Sequence, residues 1–467
     1  MANEFTHDQY ISPFTWRYGS EKMREIFSEH NKRLLLREIW IAIAKAQQKA
    51  NLVTQQQVDD LIAHKEQIDI ARATEIESVI KHDLMAEIKT YAEQCKIGGS
   101  IIHLGATSMD VLDNMDVLRQ KEALLVVINN LKELLKSFVK QMKENLSVPT
   151  IAFTHIQPAE VTTIGYRLAF TAQDLLADLD DLTNLYDNLK GKGLKGAVGS
   201  GASYESLLEN SDIDAMAFEN EVTKSLNLKP FLVASQVYPR KQDYRLAVAL
   251  ASLSATLAKF ALDLRVLQSP PIGEWSEPFA PDQVGSSAMP FKRNPITSEK
   301  INSLCRFVAS QVGILWENSA NSILERTLDD SANRRVVIPE MFLATDEVLN
   351  STNRLVKNLV FDFEKIEQNL NRYGMFAATE KVLMKAASKG GDRQLLHEVI
   401  RKHSLDAWPL VQQGKDNPLA TTLSKEKEIL KYLSEKEIIN LMSATNYVGN
   451  SEKRTLLLIK EIEEKIK

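Results

Sequence analysis

Cysteine is scarce in this 467-residue sequence, which contains only Cys95 and Cys305. Two cysteines cannot form the disulfide framework of a small secreted protein, so we expect both to be free thiols in a reducing compartment. The first residues lack a basic stretch followed by an apolar one, and no stretch approaches the roughly 18 apolar residues of a membrane helix. We therefore expect a cytoplasmic protein that has no membrane partner.

A basic excess is also missing. The chain has 57 Lys and Arg against 62 Asp and Glu, a formal net charge of −5, which gives no support to nucleic-acid binding. The eight histidines form neither an H-E-x-x-H motif nor a Cys/His cluster, so we expect no metal site and no cofactor. A Walker loop and a G-x-S-x-G elbow are absent, which argues against a P-loop enzyme and a common serine hydrolase.

Strand signals are few, whereas helical periodicity is strong and long. Five apolar stripes at alternating steps of three and four residues lie between about residues 110 and 360. The two longest stripes are Leu168, Ala172, Leu175, Leu179, Leu182, Tyr186 and Leu189, and Leu246, Leu250, Leu253, Leu257, Phe260, Leu264 and Leu267. They predict an all-α protein with a central bundle of long helices.

The length of the chain predicts more than one domain, because a single core rarely grows past about 250–300 residues. We predict an N-terminal helical domain over residues 1–108, the long-helix bundle over residues 109–362, and a C-terminal helical domain over residues 363–467. Apolar stripes of this length can also be buried against copies of the same chain. The sequence therefore favours an oligomer.

Two irregular stretches interrupt the predicted bundle. Residues 191–203 are rich in glycine, and they are either a flexible turn between helices or a backbone contact to an anionic substrate. Residues 269–295 contain the signature stretch at about 280–296 and form a loop too long for a simple connection. Loops of more than about 15 residues in compact domains are usually functional or disordered.

Polar clusters lie at the ends of the predicted helices. They occur at residues 81–83, 103–108, 154–158, 285–295 and 325–335. His155 differs from most of the other histidines because it lies in a turn that Pro158 closes, where a side chain is aimed at a ligand more easily than packed. Loops on rigid scaffolds carry a large share of catalytic residues.

Residues 285–295 match the pattern G-S-S-x-M-P-x-K-x-N-P at every fixed position. This stretch resembles the signature loop of the fumarase/aspartase superfamily. The resemblance implies an all-α fold of three domains and a homotetramer. In that arrangement the central helices of four chains form one multi-helix core, and each active site is built from three chains.

Within the superfamily the chain is most similar to the branch that acts on succinylated purine nucleotides, and residues 325–335 are the most specific part of the likeness. Lys300 departs from some relatives, which have arginine there. The resemblance implies a carbon–nitrogen lyase that eliminates fumarate from adenylosuccinate and from the imidazole ribotide SAICAR. No cofactor is implied.

The resemblance also implies roles for individual residues. Ser286 is the expected general base, His155 the general acid, and Lys292 and Asn294 the groups that stabilise the aci-carboxylate intermediate. His82 is expected to position the substrate. The other expected substrate-binding residues are Arg17, Tyr18, Lys81, Asp83, Thr107, Ser108, Gln236, Lys300, Arg326, Ser331 and Arg335.

Two alternatives remain open at the level of the sequence. Another fumarate-releasing lyase of the superfamily, such as argininosuccinate lyase or a fumarase, shares the loop but should lack the segment at residues 325–335. A non-catalytic structural relative should have lost Ser286 or His155, and both are present.

Overall fold

The computed structural model describes residues 7–444 and 447–467, and over them the chain forms 19 α-helices and a 3-10 turn at Gly99–Ile101. The first helices are α1 (Pro13–Trp16), α2 (Glu21–Ile26), α3 (Glu29–Lys49), α4 (Gln55–His64), α5 (Ile70–Ile80) and α6 (Asp83–Gln94). The central ones are α7 (Ser108–Glu144), α8 (Ile164–Asn188), α9 (Ala202–Leu207), α10 (Ala215–Ser225), α11 (Lys241–Gln268), α12 (Ile296–Ala320) and α13 (Asp329–Lys357). The last are α14 (Phe363–Ser388), α15 (Arg393–Gln412), α16 (Leu419–Leu423), α17 (Lys427–Leu430), α18 (Glu435–Leu441) and α19 (Ser451–Lys465).

Within residues 7–444 and 447–467, six short strands form three two-stranded sheets. They are β1 (Pro149–Thr154), β2 (Gln157–Thr163), β3 (Lys190–Gly191), β4 (Lys229–Pro230), β5 (Trp275–Ser276) and β6 (Val360–Phe361). The all-α class is confirmed by this helix content. The antiparallel hairpin β1–β2 was not predicted, because the sequence suggested only a turn between two long helices at this point.

The predicted stripes lie on the buried faces of the long helices. All seven stripe residues of α11 are buried. The other long stripe is buried except for the half-buried Tyr186, and its last residue, Leu189, directly follows the end of α8. The stripe predicted on α7 has two exceptions, since Leu118 is half-buried and Leu125 is exposed. Its residues are Leu118, Leu124, Leu125, Ile128, Leu131, Leu135, Phe138 and Met142. The fifth predicted stripe, which comprises Phe342, Val348, Leu349, Leu355 and Leu359, lies on α13 except for Leu359, because this helix ends at Lys357.

Helix ends follow local capping signals. Ser20 and Ser28 accept backbone N–H groups at the starts of α2 and α3. Thr54 and Gln57 form a capping box at the start of α4. These caps satisfy N–H groups that have no partner inside the helix, and they set where each helix begins.

The helix α11 is long and apolar enough to meet a simple criterion for a membrane span, which differs from our expectation that no such stretch exists. Its polar residues Ser252, Thr256 and Lys259 interrupt the apolar run that the sequence criterion required. In this structure 44% of the most apolar 18-residue segment of α11 is buried. A core helix of a soluble protein passes the same criterion.

The chain divides into two compact units. The first comprises residues 1–131, 178–255 and 303–350, and the second comprises residues 132–177, 256–302 and 351–467. A core around Trp40, Tyr91 and Phe218 lies in the first unit, and a core around Val382, Leu396 and Ile438 lies in the second. The division into domains at residues 108 and 362 remains a prediction.

Candidate active site

A cavity of about 700 Å³ in the first unit collects most of the predicted substrate-binding residues. Its walls come from the α5–α6 connection, the start of α7, the segment before α11 and the start of α13. The predicted residues that line it are Lys81, His82, Asp83, Thr107, Ser108, Gln236, Arg326, Ser331 and Arg335. Arg17 and Tyr18 belong to the same unit but are not among its lining residues.

The connection between α5 and α6 presents three polar residues in a row to this cavity. Lys81 ends α5 in a left-handed conformation with φ 56°, which turns the chain sharply. His82 begins α6, and its Nδ1 accepts the Met85 N–H at 3.2 Å. Because Nδ1 is an acceptor, Nε2 carries the proton of the neutral ring and is the atom left to donate to a ligand.

Asp83 forms an ion pair with Arg335, whose Nη2 lies 2.7 Å from Oδ2. Burial by itself raises the pKa of Asp83, but the Arg335 guanidinium and the Leu84 N–H outweigh this effect and hold the pKa below its usual value. Asp83 is therefore ionised at neutral pH. It fixes Arg335 on the wall of the cavity.

Thr107 and Ser108 stand at the start of α7, where Asp110 holds the backbone. The Thr107 N–H donates to Asp110 Oδ2 at 3.0 Å, and the fully buried Lys192 Nζ lies 2.6 Å from Asp110 Oδ1. The backbone N–H groups of Lys195 and Gly196 also donate to this carboxylate. Asp110 thus attaches the glycine-rich loop to the start of α7.

This arrangement bears on the two interpretations of residues 191–203. The N–H groups of Lys195 and Gly196 are bound to Asp110, and the Gly193 N–H donates to Asn114 Oδ1 at 3.1 Å. A Cβ on Gly199 would meet the Ala234 carbonyl oxygen at 1.9 Å, so only glycine fits there. These three N–H groups are used within the chain and are not offered to a ligand.

Buried ion pairs fix the arginine side of the cavity. Arg326 Nη1 donates to Asp330 Oδ1 at 2.8 Å, and Asp330 Oδ2 accepts from Arg240 Nε at 2.6 Å. Arg240 in turn donates to the fully buried Asp113 at 3.0 Å. The chain of contacts gives the Arg326 guanidinium one orientation, and the Gln236 N–H, bonded to the Glu325 carbonyl at 3.2 Å, ties the neighbouring segment to it.

The remaining candidates lie in the second unit. His155 and Ile156 occupy the two central positions of the β1–β2 turn with φ 53° and 59°. Positive φ at both positions is the type I′ turn that fits the twist of a hairpin, but it is costly for a β-branched residue such as Ile156. The turn leaves the His155 side chain exposed.

The signature loop precedes α12 in the same unit. Ser286 Oγ accepts the N–H groups of Met289 at 3.1 Å and Ala288 at 3.4 Å. Asn294 Nδ2 donates to the Gly285 carbonyl at 3.0 Å, so this amide closes the loop on itself. Lys292 is exposed on the loop, and Lys300 is half-buried in the first turns of α12.

Known lyases are similar to this chain over most of its length. A sequence profile described as "Lyase" matches residues 5–310, and one described as "Adenylosuccinate lyase C-terminus" matches residues 376–455. The adenylosuccinate lyase of Schistosoma mansoni is 37% identical over 428 residues, which cover 89% of this chain and 87% of that protein. The enzymes of Saccharomyces cerevisiae and Pyrococcus abyssi are 34% and 35% identical, over 95% and 97% of this chain and 93% and 98% of theirs.

The chain belongs to the adenylosuccinate lyase family. The expected superfamily of lyases is thereby confirmed. Among solved structures, a muconate lactonizing enzyme from Pseudomonas putida has a TM-score of 0.84 at 22% identity, covering 96% of this chain and 98% of that one. A fumarate lyase from Mesorhizobium has a TM-score of 0.83 at 20% identity, covering 97% and 99%. At such identities these two confirm the fold alone.

Several functional neighbours escaped the sequence reasoning. Arg119 lines the cavity, and Asp110, Arg240 and Asp330 hold its walls. Arg119, Asp110 and Asp330 occur on helices, where charged residues normally face solvent, and Arg240 lies in the turn before α11. The helical spacing itself was the available signal. Asp110, Asp113 and Asp116 follow each other at steps of three on α7, next to the predicted Thr107 and Ser108.

A group of potential metal ligands lies outside the cavity. The ligand atoms of Asp60, His64 and Cys95 lie within 4.8 Å of one another. Asp60 Oδ2, however, accepts the N–H groups of Ile97 and Gly98, both at 2.8 Å, and burial raises the pKa of Cys95 to about 12. The carboxylate thus holds the turn after α6, and the thiol is protonated at neutral pH.

Proposed function

We propose that this chain catalyses the β-elimination of fumarate from adenylosuccinate, giving AMP, and from SAICAR, giving AICAR, in purine nucleotide synthesis. The observation that carries the proposal is the cavity in a member of this family, where Arg326, Arg335 and Lys81 converge beside Thr107 and Ser108. Both substrates carry a phosphate and two carboxylates. Arginine forks and hydroxyl donors are the groups that bind such anions with direction.

The reaction needs a base and an acid on the two sides of the bond that breaks. A base removes a proton from the succinyl carbon next to a carboxylate, the C–N bond breaks, and an acid protonates the nitrogen that leaves. Ser286 is the proposed base and His155 the proposed acid. His82 is proposed to position the substrate through its Nε2, the ring atom that its helix cap leaves available.

A serine hydroxyl is a poor base unless its ionised form is stabilised. Two backbone N–H groups, from Ala288 and Met289, already point at Ser286 Oγ. Such donors favour the negatively charged oxygen in the way an oxyanion hole does. Lys292 on the same loop is proposed to stabilise the aci-carboxylate together with Asn294, once the Asn294 amide releases the Gly285 carbonyl.

We further propose that the active protein is a homotetramer in the cytoplasm, in which each active site is completed by residues of neighbouring copies. Several apolar side chains on the long helices support this, because they are exposed on a single chain. In that assembly Arg17, Tyr18 and Lys300 are proposed to reach the substrate of a site to which the chain contributes only in part.

The test is turnover of adenylosuccinate by the purified protein, followed by ultraviolet absorbance. The wild type is expected to release AMP and fumarate, and His155→Ala and Ser286→Ala are each expected to lower kcat by at least about 10²-fold, the low end for an acid or base group. Argininosuccinate and malate are assayed separately as alternative substrates. Turnover of either of these without turnover of adenylosuccinate would refute the proposal.

Ser287→Ala is the matched control, because Ser287 offers a second hydroxyl on the same loop and is exposed. It is expected to keep kcat within about 3-fold of the wild type. If Ser287→Ala loses activity while Ser286→Ala keeps it, the two hydroxyls have been assigned the wrong way round. The lyase function would stand, and the base would be Ser287.

A further inference from the structure

Four arginines line the cavity, and one of them differs from the other three. Arg326 is paired with Asp330, Arg334 with Asp243 and Asp116, and Arg335 with Asp83, all at distances of 2.7–3.2 Å. Among the described residues no carboxylate pairs with Arg119, although its side chain is as buried as that of a core residue.

The contacts of the Arg119 guanidinium are few and weak. Nη2 donates to the Phe27 carbonyl at 3.1 Å, and Nη1 reaches only the Met115 sulfur at 3.8 Å. The Phe27 ring lies under the group, with its centroid 4.9 Å from the guanidinium carbon, and Nε has no hydrogen-bond partner in the described part of the chain. A guanidinium has five N–H donors, and here one of them binds a protein oxygen.

A buried charge without a counter-ion is costly, which is why such groups are normally paired or neutralised. Burial lowers the pKa of the Arg119 guanidinium, but an arginine starts so high that it remains charged at neutral pH. The charge is therefore retained on the wall of the cavity, and no carboxylate of residues 7–444 or 447–467 pairs with it. A ligand in the cavity can supply the missing negative charge.

The neighbouring carboxylates are already engaged. Asp116 lies 3.2 Å from Arg334, and Glu29 lies 3.4 Å from Lys32, which also lines the cavity. Both carboxylates raise the pKa of Arg119 by their charge, without forming an ion pair with it. An incoming anion thus meets Arg119 and Lys32, and the two carboxylates nearest Arg119, those of Asp116 and Glu29, already have cationic partners.

We propose that Arg119 is an anion-binding residue of this cavity and contacts a phosphate or carboxylate oxygen of the bound ligand. Nothing in the family pattern at residues 81–83, 107–108 or 325–335 includes this position. The identity of the ligand as a purine nucleotide rests on the proposed function, whereas the anion site itself does not. A guanidinium suits both oxyanions, and the experiment separates them.

The experiment measures binding to the full-length protein by calorimetry, with AMP, adenosine, succinate and inorganic phosphate as separate ligands. Arg119→Met keeps the length and the apolar contacts of the side chain but removes its charge. If Arg119 binds the phosphate group, this change lowers the affinity for AMP by about 10-fold or more and lowers the affinity for inorganic phosphate in parallel. The affinity for adenosine stays unchanged. If Arg119 binds a carboxylate, the affinity for succinate falls and the affinity for AMP does not.

A purely structural role predicts a different result. Removing a buried charge that lacks an ion pair leaves the midpoint of thermal unfolding unchanged or raises it, whereas loss of a structural contact lowers it. Arg119→Lys keeps the charge and is expected to restore most of the anion affinity. Arg393→Met, at an exposed arginine outside the cavity, is the control and should change neither the anion affinity nor the midpoint of thermal unfolding.

Equal affinities of wild type and Arg119→Met for AMP, succinate and phosphate overturn the proposal, and so does a wild type that binds none of them. These outcomes are separate from failure of the proposed function. Suppose that the wild type does not turn over adenylosuccinate but binds phosphate, and that Arg119→Met lowers the affinity for phosphate. The anion site would then stand, and the assigned reaction would be wrong.

Discussion

Charged side chains that never reach solvent hold the wall of the cavity. Asp330 illustrates this, because its two oxygens accept from Arg240 and Arg326 at 2.6 and 2.8 Å while the residue itself is buried. Burial alone raises the pKa of this carboxyl, but Arg240 and Arg326 outweigh it and hold the pKa below its usual value. The carboxylate is thus a structural anion that also aims a substrate-binding arginine.

Asp330→Asn is therefore expected to destabilise the protein by about 3 kcal/mol, since it leaves a buried arginine with one carboxylate fewer. Arg326 loses its fixed orientation at the same time, and the KM for adenylosuccinate should rise on the order of 10-fold. Urea unfolding and steady-state kinetics measure the two effects. The exposed neighbour Asp329→Asn is the control and should show neither.

The same pair makes a prediction on pH. The folded-state pKa of Asp330 lies below the unfolded value of about 3.9, so its contribution to stability is complete well above that pH and is lost as the pH falls through the folded value. The stability difference between wild type and Asp330→Asn should therefore be constant near neutrality and shrink below about pH 4. A difference that grows on acidification would contradict this sign.

These charged residues also mark the limit of what the sequence could predict about the site. Nine cavity residues could be named from the family pattern, because a ligand constrains their chemistry. Asp110, Arg240 and Asp330 could not, because the sequence does not reveal that such charged residues are buried against partners elsewhere in the chain. On a helix, the pattern assigns a charged residue such as Asp110 to the solvent face. Asp110 and Lys192, for example, are 82 positions apart.

At the scale of elements, the long helices were predictable and the small sheets were not. Apolar residues at helical spacing over 20 or more positions identify a buried helix face, and the stripes on α8 and α11 are buried accordingly. The hairpin that carries His155 lacks the usual Asn-Gly or Asp-Gly turn pair, and its strands span only six and seven residues. Its turn is formed by His155 and Ile156, which no local preference favours there.

The signature loop depends on a close approach of its own backbone. A Cβ added to Gly285 would lie 2.1 Å from the Lys292 carbonyl oxygen, which cannot move without reshaping the loop. Gly285→Ala is therefore expected to lower kcat about 10-fold or more, because a small misplacement of Ser286 or Lys292 is enough for such a loss. Steady-state turnover of adenylosuccinate by the purified variant and the wild type measures this loss of kcat.

Its effect on stability should be small, since the loop lies outside both cores. The midpoint of thermal unfolding is expected to change by no more than about 2 °C. Asp282→Ala, an exposed position on the same loop that adds no atom near Lys292, is the control and should keep its activity. Full activity of Gly285→Ala would show that the loop has another closed form.

At the scale of the whole molecule, the single chain exposes apolar residues where its helices are longest. Within the second unit, Phe170 on α8, Leu262 on α11 and Ile296 on α12 are each about half exposed, although the opposite faces of these helices are buried. Scattered apolar residues are normal on a surface, but a set on successive long helices is typical of an interface. This is the surface on which we expect copies of the chain to pack.

Leu262→Glu tests that assembly. The wild type is expected to sediment at about four times the 52.6 kDa mass of the chain. A glutamate at Leu262 would place a charge in an apolar interface, so we expect smaller species and a parallel loss of turnover. Leu457 on α19 is exposed to a similar degree, 61% against 51%, and Leu457→Glu should remain tetrameric and active.

A tetramer that survives Leu262→Glu with full activity would place the contact surface elsewhere. A smaller species that keeps full activity would mean instead that each chain completes its own active site.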